Sequence, residues 1–402
     1  MVEARKIGVH IGSGNLAMAA YRVIGQFATS EVIRLNDHGS THTALPAVVY
    51  LSGVSKPEIG RAAKLKWARQ AERLYSPLGL VAAGQTSLTV DDHELDVQEL
   101  LGLLVAGLKD QAGMFGDFAR CSVAYPDYLS PAQLAAFKKA VLVEIPDLEE
   151  SNFIPSGLAA LFDMQLHQMR YGKAYHQFDF QNSTKVAVVD IGENFTTASL
   201  FEIRAEDGAW SAHYLTKPYW GKVGGRDFDT TFADYLVEQA RANGLLSEGE
   251  LTPELRRQIQ LEAERLKCEL SDQIDAQVNS TNLPPDAFND LAVPLTVYGP
   301  AGKKLIDTSI DKKTYDKVVL PAVVAATGKP CVMQVLTEAL DAAGESLANL
   351  DEIVLVGGMA RLHLIGQVLN RVWGKPLREL RNPEFSAARG AAIYHDMVSH
   401  NE

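Results

Sequence analysis

The stretch that decides the fold occurs twice, as VHIGSGNLAMAAY at Val9–Tyr21 and as VDIGENFTTASLF at Val189–Phe201. Each copy reads as a buried strand, an Ile-Gly pair, a polar turn and a second apolar strand. Helical patterns follow each copy, and the copies lie about half the chain apart, so a whole unit is duplicated rather than a short solenoid repeat. Two related lobes predict a cleft between them, where ligands commonly bind.

Length and charge narrow the class of protein. The chain has 402 residues, which exceeds a single hydrophobic core and predicts two or more compact units. Its 47% hydrophobic and 22% charged residues are typical of a globular protein. The net charge of −12 argues against DNA or RNA as a direct partner, because neutralising phosphates requires a basic face.

The cysteines and the N-terminus predict a compartment. Cys121, Cys268 and Cys331 are odd in number and far apart, which favours three buried free thiols in a reducing environment. The N-terminal MVEARKIGVH lacks the apolar core of a secretory signal. No apolar run reaches the roughly 18–20 residues of a membrane span, so we expect a cytoplasmic protein with no membrane association.

Periodicity and turn chemistry predict most of the elements and their organisation. Helices are expected at Glu58–Leu74, at Asp96–Met114 and, capped by Ser130, at Pro131–Val143; a strand is expected at Pro46–Leu51. Arg170–Thr184 reads either as a solvated connection or as a partner anchor through four aromatic residues, Tyr171, Tyr175, Phe178 and Phe180. The predicted divisions are a first lobe at 1–184, a second at 185–365, and a C-terminal segment at 366–402 that returns to the first lobe.

Several further segments, in order, carry a resemblance to a known family. They are Tyr125–Ala140 (YPDYLSPAQLAAFKKA), Val223–Asp229 (VGGRDFD), Ala263–Ser271 (AERLKCELS), Ile353–Leu362 (IVLVGGMARL) and Asn382–Val398 (NPEFSAARGAAIYHDMV). Together with the two hairpins they resemble the nucleotide-binding domain of DnaK-type, 70-kilodalton heat-shock chaperones over nearly the whole chain. The resemblance implies an α/β fold: the duplicated, actin-like or ribonuclease-H-like two-lobed ATPase domain with an inter-lobe cleft.

The resemblance also implies a set of nucleotide-binding residues, and with them ATP or ADP as a ligand. On the adenosine side, Glu264, Lys267 and Ser271 share one helical face. The remaining candidates are the matching loop and turn residues Gly12, Ser13, Gly14, Asp190, Gly192, Gly224, Gly225, Gly357, Gly358 and Arg361.

The positions that handle phosphate and metal in the family are altered. His10 stands where the family has an aspartate, Ile154 replaces a glutamate, and Tyr75 falls where the family has a lysine. In the second turn Glu193 and Phe195 replace a glycine and a threonine, and Thr197 replaces a second carboxylate. A carboxylate about 4 Å from a phosphate costs on the order of 4 kcal/mol at an effective dielectric near 20, unless Glu193 points to solvent. We therefore expect no catalytic residues and no magnesium site.

Three functions remain open at this stage. The leading one is a DnaK-like pseudo-ATPase that acts as a co-chaperone, regulatory or binding subunit. His10 in IGVHIGS makes the chain similar to atypical members that pair with a J-domain protein in a ribosome-associated complex. The second is a structural subunit whose cleft Phe195, Ile154 and Tyr75 would fill. The third is an active ATPase or a sugar-kinase relative, which needs a catalytic carboxylate. With 402 residues taken up by the two predicted lobes, we expect no peptide-binding domain.

Overall fold

A computed structural model describes residues 6–24, 27–37, 40–53, 57–113, 121–171, 183–206, 209–299, 302–324, 330–375 and 377–399. In chain order the strands β1 to β21 span Lys6–Ile11, Asn15–Ile24, Phe27–Val32, Leu35–Asp37, Ser40–His42, Ala44–Pro46, Val49–Leu51, Pro57–Ile59, Leu74–Tyr75, Ser87–Val90, His93–Asp96, Cys121–Tyr125, Phe153–Pro155, Thr184–Ile191, Thr196–Glu206, Ala209–Tyr214, Tyr219–Gly221, Ala292–Tyr298, Lys304–Asp311, Glu352–Val356 and Leu377–Glu379.

The helices α1 to α11 span Gly60–Leu65, Pro77–Ala82, Val97–Ala112, Pro131–Glu144, Ser156–Tyr171, Gly225–Ala242, Pro253–Thr281, Lys312–Val323, Val332–Ala343, His363–Trp373 and Ser386–Ser399. Short 3-10 helices occupy Ala71–Arg73, Glu150–Asn152, Glu248–Glu250, Pro285–Phe288, Leu347–Asn349, Gly358–Arg361 and Pro383–Phe385. Within the described ranges, no helix combines the length and the apolar character required to cross a bilayer.

Two sheets repeat one topology. The first has the order β13-β12-β1-β2-β3, and the second has the order β21-β20-β14-β15-β16. In both, the hairpin strands pair antiparallel, and the next strands, β12 and β13 or β20 and β21, pair parallel. The duplication expected from the sequence is therefore present at the level of strand order and direction, as the two-lobed α/β fold requires.

Local signals place several helices. Ser130 and Gln133 form a capping box at the start of α4, with Pro131 as its first residue, as expected. Asp96 caps α3, and Thr252 caps α7. The second of these helices extends to Thr281 and stops where Asn282 adopts the left-handed conformation.

The C-terminal helix α11 packs on the first sheet and on α5. Gly8 of β1 lies under α11 so closely that a Cβ there would lie 2.9 Å from the backbone carbon of Ala391. Arg389 of α11 forms a bidentate ion pair with the fully buried Asp163 of α5, at 2.8 and 2.7 Å. Close backbone packing thus fixes this helix against β1, and a buried ion pair fixes it against α5.

Three sequence predictions were wrong or incomplete. Residues 58–74 do not form one helix, because β8 and β9 both pair with β7 and leave only a short α1 between them. The expected strand at 46–51 is interrupted, since the backbones of Ala47 and Val48 turn away to bond Gly14 and Gly60. The strand β19 was missed altogether.

The cysteine and loop predictions have mixed outcomes. Cys121 and Cys331 are buried, but Cys268 is exposed, because it follows the inward-facing Lys267 on α7 and so points away from the core. Of the aromatic residues in the predicted connection, Tyr171 ends α5. Tyr175, Phe178 and Phe180 lie outside the described residues.

Candidate functional site

The two glycine turns have the same backbone geometry. In the first, the Gly12 amide donates to the Asn15 carbonyl at 3.0 Å; in the second, the Gly192 amide donates to the Phe195 carbonyl at 2.9 Å. The strands leading into the turns are also in equivalent register. His10 pairs with Ala17, and Asp190 pairs with Thr197. His10 and Asp190 are therefore structural counterparts in the duplicated hairpins.

The two turns contact each other across the cleft. The Asn194 side-chain amide donates to the Ser13 carbonyl at 3.3 Å, and the Ser76 hydroxyl donates to the same oxygen at 3.3 Å. Glu193 lies against Gly14: a Cβ at Gly14 would be 2.6 Å from Glu193 Oε2, so a side chain there would collide with it. The side chain of Glu193 thus points into the cleft and not to solvent.

A cavity of about 200 Å³ lies between the hairpins, below the roughly 300–1,000 Å³ of typical ligand pockets. Most of the predicted nucleotide-binding residues line it: Gly12, Ser13, Gly14, Asp190, Gly192, Gly225, Glu264, Lys267, Gly357 and Gly358. Gly224, Ser271 and Arg361 are not among the lining residues. Gly224 lies directly behind Glu193, Ser271 is buried in α7, and Arg361 is engaged elsewhere.

Charged residues on the adenosine side are paired with one another. Lys267 Nζ lies 2.7 Å from the buried Asp229, and the attraction of this carboxylate, acting against the effect of burial, raises the pKa of Lys267. Glu264 binds Lys64 at 2.6 Å. Burial of Glu264 acts to raise its pKa, but Lys64 and Lys267 outweigh burial and hold that pKa below its ordinary value. Both groups are therefore charged and already have partners.

Arg361 is held by acidic side chains. Its guanidinium lies 2.6 Å from Asp272, 2.8 Å from Asp275 and 3.7 Å from Glu384. Burial acts to lower its pKa, but these carboxylates more than offset burial and raise it. Arg361, one of the predicted nucleotide-binding residues, is thus already held by three acidic side chains.

Burial shifts the two hairpin counterparts toward their neutral forms. Burial lowers the pKa of His10 to about 4, so its imidazole is neutral at pH 7. Burial, with the nearby charge of Asp127, raises the pKa of Asp190 to about 7. Asp127 accepts hydrogen bonds from the Gly157 amide, the Ser199 hydroxyl and the Tyr214 hydroxyl. One neutral imidazole and one partly protonated carboxyl therefore face the cavity.

The other altered positions are occupied by apolar or hydrogen-bonded side chains. Ile154 is 1% exposed and belongs to the core, not to the cavity wall. Tyr75 packs on the core of the first sheet and donates its hydroxyl to the Glu72 carbonyl. Only Phe195, of the three residues expected to fill the cleft, lines it, and its ring packs on those of Tyr128 and Trp220.

Sequence reasoning missed several residues of the site. Asp127, Tyr128, Asp229 and Glu384 line the cavity. All four lie inside the segments that carry the family resemblance. The sequence therefore indicated these segments but not the individual residues. Lys64 had no such signal, because its role depends on Glu264, which is 200 residues away in the chain.

These residues do not fit a magnesium-bound triphosphate. Magnesium favours carboxylate ligands, yet a neutral His10 stands at one hairpin and Thr197 is a buried hydroxyl at the other. Within the described ranges, no group of three or more His, Cys, Asp or Glu side chains is arranged to hold a metal ion. Glu193 adds negative charge where phosphate oxygens would lie.

Comparisons with known proteins identify the class. The family model described as Hsp70 protein matches residues 54–402, and the chain belongs to this family. The chain is 25% identical over 399 residues to the chaperone protein DnaK of Thermotoga petrophila and of Thermotoga maritima. It is 24% identical to that of Thermosipho melanesiensis. Each match covers 98% of this chain but 60% of the relative, so the chain spans about three-fifths of their length.

Proposed function

We propose that this chain is an Hsp70-family pseudo-ATPase that acts as a binding or regulatory subunit. One observation carries the proposal: the two glycine turns, which the resemblance places around a triphosphate, contact each other through Asn194, Ser13 and Glu193. A phosphate chain has to occupy the space between such turns. Direct contact between them narrows that space to the cavity of about 200 Å³.

The altered positions support the absence of hydrolysis. Phosphoryl transfer depends on placing the metal, the attacking water and the phosphates together. Ile154 can neither accept a proton nor orient a water molecule. His10 and Thr197 remove carboxylates from the two hairpins, so separate parts of the catalytic arrangement are missing at once.

Weak nucleotide binding follows from the same geometry. ATP or ADP would have to compete with Lys64 for Glu264, with Asp229 for Lys267, and with three carboxylates for Arg361. Each of these ion pairs is at least partly shielded from water, so breaking it without replacement is unfavourable. We therefore propose that neither ATP nor ADP is a resident cofactor, and that magnesium is not bound with it.

The direct test is phosphate release from ATP, with and without Mg²⁺, by the wild type and by Asp190→Ala. We expect release at the background rate from both proteins. Turnover above background that Asp190→Ala abolishes would establish an active ATPase and refute the proposal. A thermal melt separates the two inactive alternatives, because a ligand that binds only the folded state raises Tm. An unchanged Tm in millimolar ADP favours a subunit that works without nucleotide.

The proposed partners are proteins. The DnaK relatives are named as chaperones, and the similarity of IGVHIGS to ribosome-associated members suggests a J-domain co-chaperone in the cytoplasm. Affinity purification from cell extract, with Asp190→Ala as bait beside the wild type, tests this. A J-domain protein or ribosomes recovered with both baits would support a role independent of ATP. Recovery of neither would favour a structural subunit of another assembly.

A further inference from the structure

We infer that Glu193 is a built-in anion, which occupies the phosphate side of the cleft and keeps the two halves of the molecule in contact without nucleotide. The inference rests on the proposed function and adds a mechanism to it. In the pseudo-ATPase proposed above, the cleft lacks the groups needed to use ATP. Here the cleft also carries its own substitute for the ligand.

Cations surround Glu193 as they would surround a bound phosphate. Arg226 Nη2 lies 3.1 Å from Glu193 Oε1, and the Arg226 backbone amide donates to the Glu193 carbonyl at 2.8 Å. Lys64 lies near enough for the negative charges of Glu193 and Glu264 to outweigh its burial and raise its pKa. Glu193, Glu264, Lys64 and Arg226 line one small pocket beside the main cavity. Lys64 and Arg226 therefore place two cations beside Glu193, in a pocket that Asp229 also lines.

The same residues connect parts of the chain that belong to the two repeated halves. Glu193 reaches Gly14 of the first turn, where only glycine leaves room for it. Lys64 of α1 binds Glu264 of α7 at 2.6 Å. Beside this pair, Arg257 of α7 donates to the Ala68 carbonyl at 3.0 Å. The Glu193 contact is thus continuous with a line of polar contacts across the cleft.

Entry of a polyphosphate conflicts with this arrangement in two ways. Its charge would lie beside the Glu193 carboxylate, and like charges about 4 Å apart weaken binding by roughly a thousandfold at an effective dielectric near 20. Its volume would also require Glu193 and Asn194 to leave the first turn. Removing the charge of Glu193 relieves the first obstacle, and removing its whole side chain also relieves its share of the second.

The test is calorimetric titration with inorganic pyrophosphate, which probes the phosphate side without adenosine. Glu193→Gln removes the charge and keeps the shape, whereas Glu193→Gly removes both. Glu269→Gln is the matched control, because Glu269 binds Arg265 on the exposed face of α7. We expect both Glu193 variants to bind pyrophosphate at least tenfold more tightly than the wild type, with Glu193→Gly binding most tightly and Glu269→Gln unchanged. Equal affinities in all four proteins would overturn the inference.

Hydrogen exchange supplies a second readout that does not need a ligand. In Glu193→Gly the amides of residues 12–14 should exchange several-fold faster than in the wild type, because the first turn loses its cover. Unchanged exchange at these amides would also overturn the inference, even if pyrophosphate binds. Hydrolysis of ATP by the wild type refutes the proposed function instead. The two failures are therefore distinguishable.

Discussion

The first hairpin, residues 10–17, and the second hairpin, residues 190–197, share one backbone but differ in what their side chains do. Both close with a glycine amide bonded to the carbonyl three residues later. The first contributes a neutral imidazole at His10, and the second contributes carboxylates at Asp190 and Glu193. Duplication thus preserved the turn geometry, in which a Cβ at Gly12 or Gly192 would lie 3.0 or 3.2 Å from the carbonyl oxygen that closes the turn, while the side chains that line the cleft diverged.

The two hairpins also differ in how burial shifts the pKa values of their titratable side chains. Burial disfavours the charged form of any side chain, so it lowers the pKa of a base and raises that of an acid. His10 and Asp190 occupy equivalent positions, and their pKa values shift in opposite directions, to about 4 and about 7. Burial therefore gives the equivalent positions of the two hairpins opposite responses to pH.

The largest expected effect concerns the support of the first hairpin. Arg389→Met leaves Asp163 as a fully buried carboxylate without its bidentate partner, and the expected loss is about 3–5 kcal/mol of unfolding free energy. Denaturant unfolding at pH 7 measures the loss. Arg265→Met, which removes an exposed ion-paired arginine from α7, should cost less than about 1 kcal/mol. Equal losses in the two variants would mean that α11 does not depend on its buried pair.

Asp190→Asn tests the pH response of the second hairpin. The pKa of Asp190 is raised from 3.8 to about 7 on folding, so the folded state holds an extra proton between these values, and stability falls as the pH rises through that window. Asp190→Asn has no carboxyl group to titrate at this position, so it does not lose stability in this way. Relative to the wild type, its unfolding free energy should therefore increase by about 4 kcal/mol from pH 4 to pH 8. A difference between the proteins that does not vary with pH would contradict the shift.

His10→Asn tests the first hairpin, where stability changes with pH in the opposite direction. The pKa of His10 falls from 6.5 to about 4 on folding, so the unfolded state holds the extra proton, and stability is lost as the pH falls from 6.5 to 4. The variant should lose about 2 kcal/mol less than the wild type over that range. His213→Asn, the same substitution at an exposed position of β16, is the matched control. Parallel profiles for His10→Asn and the wild type would show that the imidazole is not desolvated.

Local patterns predicted much of the site's framework. The turns at Gly12 and Gly192, the capped start of α4 and the strand ending at Val356 all follow from residues close together in the chain, where periodicity and turn chemistry act. Most of the nucleotide-binding positions that the resemblance implied line one cavity. The predicted division at residues 184 and 365 stays a prediction.

The sequence by itself determined the duplicated fold, the family, and the loss of the expected side chains at His10, Ile154, Glu193 and Thr197. Only the tertiary structure decided where the new side chains went: Glu193 beside Gly14, Lys64 beside Glu264, and Ile154 in the core. This difference between what the sequence determined and what the tertiary structure decided has a physical cause. Strand and turn formation depend on neighbours in the chain, whereas ion pairing and desolvation depend on groups that folding brings together from as far as 226 residues apart.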